Sequence, residues 1–163
     1  MNPMTNLSAC VGLMLLGAAI SRPVQAAEIP AEACSWLSKA QISAELGIPV
    51  DAGVRPIASE PGMCNWRESN KPTGPGRNVM LTIITEKEFE RIKALPMVSP
   101  ASGIGDEAVV VHPMRVPAEL TVKVGTHYFQ LLVRSDLSAS EEVDARNQTI
   151  EKALAQRIIK KLG

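Results

Sequence analysis

The pattern of apolar positions and polar capping residues predicts helices in three parts of the chain. The first of these segments covers residues 39–46. Ser38 precedes it and Gln41 follows three residues later, which is the pairing of a capping box, and Gly47 supplies a C-terminal stop. We therefore predict an N-terminal helix over residues 39–46.

Two further segments carry similar helix signals. Thr85 and Glu88 form the pattern of a second capping box, and Pro96 ends the segment that follows them. Beyond residues 138–140 a long segment runs to the C-terminus with a stripe of apolar residues. The stripe consists of Val143, Ile150, Leu154, Ile158 and Leu162. Such a stripe must lie against an apolar surface, and we expect that surface to be a β-sheet.

Extended, partly alternating segments predict the strands of this sheet. Residues 54–59, 63–68 and 79–84 read as short strands bounded by Pro, Gly and polar residues, and the valine run 109–111 reads as another. Together with a hairpin, these segments predict an α+β fold. Its antiparallel sheet has about five strands, packed by an N-terminal, a middle and a long C-terminal helix.

The hairpin is the best-determined part of the pattern. Residues 120–124 and 127–134 flank the two-residue turn Gly125-Thr126. The register that pairs Val124 with His127 separates the remaining pairs by face. One face holds Val122 with Phe129 and Leu120 with Leu131, and the other holds Lys123 with Tyr128 and Thr121 with Gln130. We predict that the first face packs in the core and that the second is exposed to solvent.

Composition and charge exclude one class of partner. The chain has 163 residues, of which 45% are hydrophobic and 21% are charged, and its 17 Lys and Arg balance its 17 Asp and Glu. This is the composition of a soluble globular protein. Without an excess of positive charge, the phosphate contacts that dominate nucleic-acid binding have no source. We therefore expect no nucleic-acid partner.

Residues 1–26 read as a signal peptide. The apolar run 9–20 is about 12 residues long, whereas a membrane span needs about 20. Val24 and Ala26 place small residues where signal peptidase requires them, which predicts a mature start at Ala27. We therefore expect a periplasmic or secreted protein. Its residues 27–163 form a single α+β domain with no stable membrane span after cleavage.

Two cysteines remain after that cleavage, Cys34 and Cys64, and an even pair in an oxidising compartment predicts a disulfide. Trp36 and Trp66 each follow a cysteine by two residues. In an extended chain each indole points the same way as its cysteine's sulfur, so we expect the bridge to pack between them. A catalytic dithiol is disfavoured, because such pairs are usually a close Cys-x-x-Cys.

The stretch 103–108 (GIGDEA) is the most motif-like part of the chain. It formally matches the dinucleotide-binding fingerprint, but a loop precedes it instead of a strand, and its two carboxylates would repel a pyrophosphate. We interpret it as a glycine turn in which Gly103, Gly105, Asp106 and Glu107 are structural residues. The Asp106 carboxylate is expected to accept local backbone N–H groups.

The histidines complete the set of chemical candidates. His112 and His127 could join Asp106 or Glu107 in a metal site or in an acid/base site. No ligand spacing such as His-x-x-x-His supports a metal. We therefore predict no catalytic residue, metal ligand or cofactor. A metal-dependent or acid/base hydrolase that uses these four residues is the alternative.

The order of these features resembles a family of small exported bacterial proteins of unknown function, many of them lipoproteins. The resemblance rests on Cys34 with Leu37, Ile42 with Leu46-Gly47, Cys64 with Trp66, the 103–108 stretch, the hydrophobic hairpin and the terminal helix. It spans residues 33–162 and implies an α+β fold with a disulfide, but no catalytic residue. Lipoprotein members have a cysteine at the mature start, where this chain has Ala27.

These observations predict an exported, non-enzymatic binding or interaction module whose partner is an envelope protein or a small ligand. Two structural features would separate this function from hydrolysis. An exposed apolar patch near the polar loop 69–78 would favour a binding surface. A pocket that gathers the candidate carboxylates and histidines would favour an enzyme.

Overall fold

A six-stranded antiparallel sheet is the frame of the molecule. The computed structural model describes residues 32–71, 76–113, 117–138 and 140–163. The strands are β1 (Met63–Arg67), β2 (Asn78–Ile83), β3 (Val98–Pro100), β4 (Glu107–Val111), β5 (Glu119–Val124) and β6 (His127–Arg134). Their order across the sheet is β1-β2-β6-β5-β4-β3. The α+β class is confirmed, with one strand more than the sequence predicts.

The helices of the described chain are α1 (Lys39–Leu46), α2 (Glu86–Lys93) and α3 (Glu141–Leu162). The capping box predicted for α1 is present. The Ser38 hydroxyl accepts the Gln41 N–H at 3.2 Å, and the Gln41 side chain accepts the Ser38 N–H at 2.8 Å. Gly47 ends the helix in the left-handed conformation, with φ of 68°, which only glycine adopts without strain.

The second capping box is only half formed. The Thr85 hydroxyl accepts the Glu88 N–H at 3.2 Å, as predicted. The Glu88 carboxylate, however, accepts from Arg91 one turn further along the helix. An ion pair on the exposed face of α2 thus takes the place of the return bond to the N-cap.

The hairpin register is confirmed, but the outer face of the hairpin is not uniformly exposed to solvent. Val124 lies opposite His127 and Leu120 lies opposite Leu131. On the outer face Thr121 and Tyr128 are buried. The reason is α2, whose Phe89 ring packs on the Tyr128 ring with the centroids 5.5 Å apart. The middle helix therefore covers the part of this face that alternation alone would leave in water.

The strand predicted at 54–59 is wrong. Of these residues only Val54 pairs with the sheet, as an isolated bridge to Asn65 of β1. Pro56 has no N–H to offer a neighbouring strand. Ile57 is 46% exposed, so the apolar residues of this segment are not the buried half of an alternating strand.

The additional strand is β3, at the edge of the sheet beside β4. It has three residues and ends in Pro100. A strand of this length shows no readable alternation, and proline suits an edge because its missing N–H is not required there. Sequence reasoning therefore assigned this region to a loop.

One face of the sheet is the main core. It packs strand residues such as Trp66, Leu81 and Phe129 against Ile42 of α1 and the apolar stripe of α3. The stripe predicted for α3 is confirmed, except that Leu162 is only half buried. It also contains two buried polar residues that the sequence does not predict, Asn147 and Glu151.

No helix in the described ranges is long and apolar enough to cross a membrane. The signal peptide predicted at residues 1–26 lies outside these ranges.

The disulfide between Cys34 and Cys64 is confirmed, and it joins Cα atoms 5.0 Å apart. The packing predicted around it is only partly right. Cys34 lies in a short 3-10 turn, Ala33–Ser35, so the extended geometry assumed for Trp36 does not hold. Trp36 instead meets His127 and Phe129 edge-on, with ring centroids 6.0 and 5.8 Å away.

Gly53 lies directly over the disulfide and the second indole. A Cβ at this position would lie 2.6 Å from both the Cys64 Sγ and the Trp66 Nε1. Because both atoms belong to fully packed core residues, neither can move aside at low cost.

We therefore expect Gly53→Ala to lower the free energy of unfolding by about 1–3 kcal/mol through overpacking. Gly76→Ala is the matched control, because among the described residues its Cβ would meet only the Lys71 Cβ, at 3.9 Å. Urea unfolding of both variants checks the difference. Equal stabilities of the two variants would contradict close packing of Gly53 against the disulfide and Trp66.

Candidate functional site

Asp106 ties the glycine turn to the β5–β6 hairpin. Its carboxylate accepts the Gly125 N–H at 2.7 Å, and its own N–H donates to the Lys123 carbonyl at 2.9 Å. Gly105 has a φ of 59°, and a Cβ there would collide with the same Lys123 carbonyl. The turn is as predicted, but the N–H that Asp106 accepts comes from the hairpin and not from the local chain.

Glu107 is held by an ion pair. Its carboxylate lies 2.6 Å from the Lys93 Nζ of α2, and this hydrogen bond is the main reason that the pKa of Lys93 is raised. The same ammonium group lies 5.4 Å from the centre of the Phe89 ring. Glu107 therefore fastens α2 to β4.

The histidines lie in separate parts of the molecule. His112 is exposed just beyond the end of β4, where its Nε2 lies 2.9 Å from the Ser99 hydroxyl. His127 begins β6 on the core side and packs against Trp36. Glu107 shares the His127 end of the sheet but faces α2 on the opposite side. The four candidates of the hydrolase alternative are therefore not brought together.

A metal centre has no support from side-chain clustering. Within the described ranges, no group of three or more His, Cys, Asp or Glu residues could hold a metal ion.

A different surface emerges from the register of β1, β2 and β6. On the side of the sheet away from α3, these strands present half-exposed side chains in rows, which we call the open face. Its residues are Met63, Thr82 and Gln130 in one row, Asn65, Met80 and Leu132 in the next, and Arg67, Asn78 and Arg134 in the last. Helix α2 lies on this side too, but its buried residues pack on Tyr128, Val109 and Val111, beyond these rows.

The open face has an unusual composition for a protein surface. It contains Met, Leu, Arg and neutral polar residues but no Lys, Asp or Glu, so that Arg67 and Arg134 are its only charged residues. Some of its amides are already engaged with each other, as in the Asn78 Nδ2 bond to the Asn65 Oδ1 at 3.2 Å. At its border on β5 lies Glu119, whose pKa is raised by burial.

A buried ion pair closes the loop beside the open face. Glu68 accepts two bonds from the Arg77 guanidinium, at 3.1 Å from Nε and 2.7 Å from Nη2. The Glu68 N–H donates to the Arg77 carbonyl at 2.9 Å. The hydrogen bonds from the Arg77 guanidinium to the carboxylate are the main reason that the pKa of Glu68 is lowered to about 2. The clamp fixes the ends of the loop 69–76, of which residues 72–75 lie outside the described ranges.

Comparison with known protein-family models, with curated proteins and with solved structures gives no match to this chain.

The hydrogen bond from Gly125 to Asp106 predicts a ranking of substitutions. Asp106→Asn keeps an acceptor oxygen and should change stability little, whereas Asp106→Ala removes the acceptor and should cost about 1–2 kcal/mol. Thermal melts of both variants check this ranking. Near-native melting of both proteins would contradict a structural role for Asp106.

The Glu68 clamp predicts a loss of stability in acid. Because the pKa falls from 4.5 to about 2 on folding, the clamp stabilises the protein fully above pH 4.5 and progressively less as the pH falls through 2. Melting temperatures of the wild type and Glu68→Gln should therefore converge as the pH drops from 5 to 2. Glu88→Gln is the control, because Glu88 forms an exposed ion pair with Arg91 on α2. A gap between wild type and Glu68→Gln that stays constant over this range would contradict the assignment.

Proposed function

We propose that this protein is an exported, non-enzymatic binding module that presents its open face to a partner protein of the cell envelope. The observation that carries this proposal is the composition of the open face. Protein interfaces are enriched in Met and Arg and depleted in Lys, Asp and Glu relative to other surfaces. Each of the three strands contributes Met or Arg to the open face, and none of them contributes Lys, Asp or Glu.

The geometry of the open face favours a protein over a small ligand. A small ligand is usually enclosed by a concave site, whereas the open face is one side of three neighbouring antiparallel strands. Met63, Met80 and Leu132 are large apolar side chains that remain partly in contact with water. A partner that covered them would remove apolar area from water, which stabilises a complex.

The row of the open face nearest the polar loop consists of Arg67, Asn78 and Arg134, and the apolar side chains lie in the rows beyond it. Strand β1 ends at Arg67 and β2 begins at Asn78, so their last row borders the loop 69–76. Flexible side chains such as Met80 can adapt to the shape of a partner. The loop ends held by Glu68 and Arg77 give the border of this surface a fixed position.

The signal peptide predicted from the sequence supports the same function. A signal peptide at residues 1–26 would deliver the chain to an oxidising compartment, where the disulfide between Cys34 and Cys64 is stable. By contrast, hydrolysis by Asp106, Glu107, His112 and His127 would need these groups to converge on one substrate. Their separate positions give that alternative no support.

A capture experiment with matched variants tests the proposal. The mature protein is immobilised and exposed to an extract of its own cell envelope, and retained proteins are quantified by mass spectrometry. Met80→Lys places a charge at the centre of the open face and should reduce retention of the partner by about tenfold or more. Its lysine stem can still lie along the sheet, so the melting temperature should remain close to that of the wild type.

Met97→Lys is the matched control, because Met97 is 39% exposed and lies outside the open face. It should retain the partner as well as the wild type does. The proposal is contradicted if no envelope protein is retained in a Met80-dependent manner, or if both lysine variants lose the same proteins equally.

A further inference from the structure

Strand β6 continues beyond the strand beside it. The pairing of β5 with β6 ends at Glu119 and Leu132. The next N–H groups of β6 on this side belong to Val133 and to Ser135 just after the strand. Both residues are buried, so their N–H groups need acceptors other than water.

Helix α3 supplies these acceptors from two side chains one turn apart. The Glu151 Oε1 accepts the Val133 N–H at 3.0 Å, and the Asn147 Oδ1 accepts the Ser135 N–H at 2.9 Å. Asn147 also accepts the Ser135 hydroxyl at 2.6 Å. Four residues of helix rise about 6 Å and two residues of strand about 6.8 Å. The two spacings match closely enough for α3 to replace the missing strand.

The Glu151 carboxyl is enclosed without a cationic partner. The residue is 0% exposed, and its second oxygen has no hydrogen-bond partner among the described residues. The charged groups that act on it are both acidic, namely Glu119 of β5 and Asp144 on α3 itself. Burial raises the pKa of Glu151 to about 9, against the opposing effect of the Val133 N–H.

We propose that Glu151 is a pH-sensitive latch, whose uncharged carboxyl holds α3 on β6 and whose ionisation loosens this part of the helix. The Glu151 carboxyl is itself closed to water, and the negative charges of Glu119 and Asp144 further oppose its ionisation. Its negative charge is therefore stabilised only if the side chain reaches solvent. That movement breaks the bond to Val133 and lifts the neighbouring stripe residues from the core.

The sign of the pH dependence follows from the raised pKa. In the unfolded chain Glu151 loses its proton near pH 4.5, whereas in the folded protein it keeps the proton up to about pH 9. Its contribution to stability is thus complete below pH 4.5 and is lost as the pH rises through 9. The Glu68 clamp acts in the opposite direction and at lower pH, so the two effects separate.

The variant Glu151→Gln tests the latch, because glutamine keeps the acceptor oxygen but cannot ionise. The melting temperature of the wild type, relative to this variant, should fall steadily between pH 5 and pH 9. Glu142→Gln, an exposed position on the same helix, should run parallel to the wild type. Parallel curves for wild type and Glu151→Gln over this range would overturn the proposal.

The wild-type protein provides a second test that needs no variant. Above pH 9 the amides of Val133 and Ser135 should lose protection from hydrogen exchange, measured by NMR and corrected for intrinsic rates. The Phe129 amide, in the middle of the sheet, should lose at least tenfold less protection. Equal losses at all three amides would show that no local latch opens.

Discussion

Helix α3 packs on the sheet through its apolar stripe, and two of its polar side chains replace a missing strand beside the end of β6. Without Glu151 and Asn147, the buried N–H groups of Val133 and Ser135 would be unpaired, at a cost of about 1–3 kcal/mol each. An ionised carboxylate could accept the same bond, but it would carry a buried charge beside Glu119. The neutral form of Glu151 combines the required acceptor with a site that water does not reach.

The position of α3 determines that of the N-terminal segment. Near its C-terminal end, Arg157 bonds to Glu45 of α1 and Lys161 donates to the Ser35 carbonyl. The disulfide then joins Cys34, beside Ser35, to Cys64 of the edge strand β1. Helix α3, the N-terminal segment and the edge strand β1 are therefore linked to one another on one face of the sheet, and the open face on the other side is left partly exposed.

Sequence reasoning was accurate where structure depends on neighbours in the chain. The cap at Ser38, the hairpin turn at Gly125 and the pairing register that follows from it are all of this kind. It failed where distant contacts decide. Hydrophobic periodicity treats Glu151 as a solvated position, although it lies one turn before Leu154 on the buried stripe. The open face was also missed, because its rows depend on the long-range pairing of β2 with β6 and on how far α2 extends.

We infer that the Glu151 carboxyl, which holds α3 to β6, is uncharged at neutral pH. Titration of the Glu151 side-chain carboxyl carbon, observed by NMR in protein labelled with ¹³C at glutamate, measures this directly. Glu151→Gln identifies the resonance. We expect a midpoint of about 9. A midpoint near 4.5 would contradict this inference, because α3 would then be held by an ionised group.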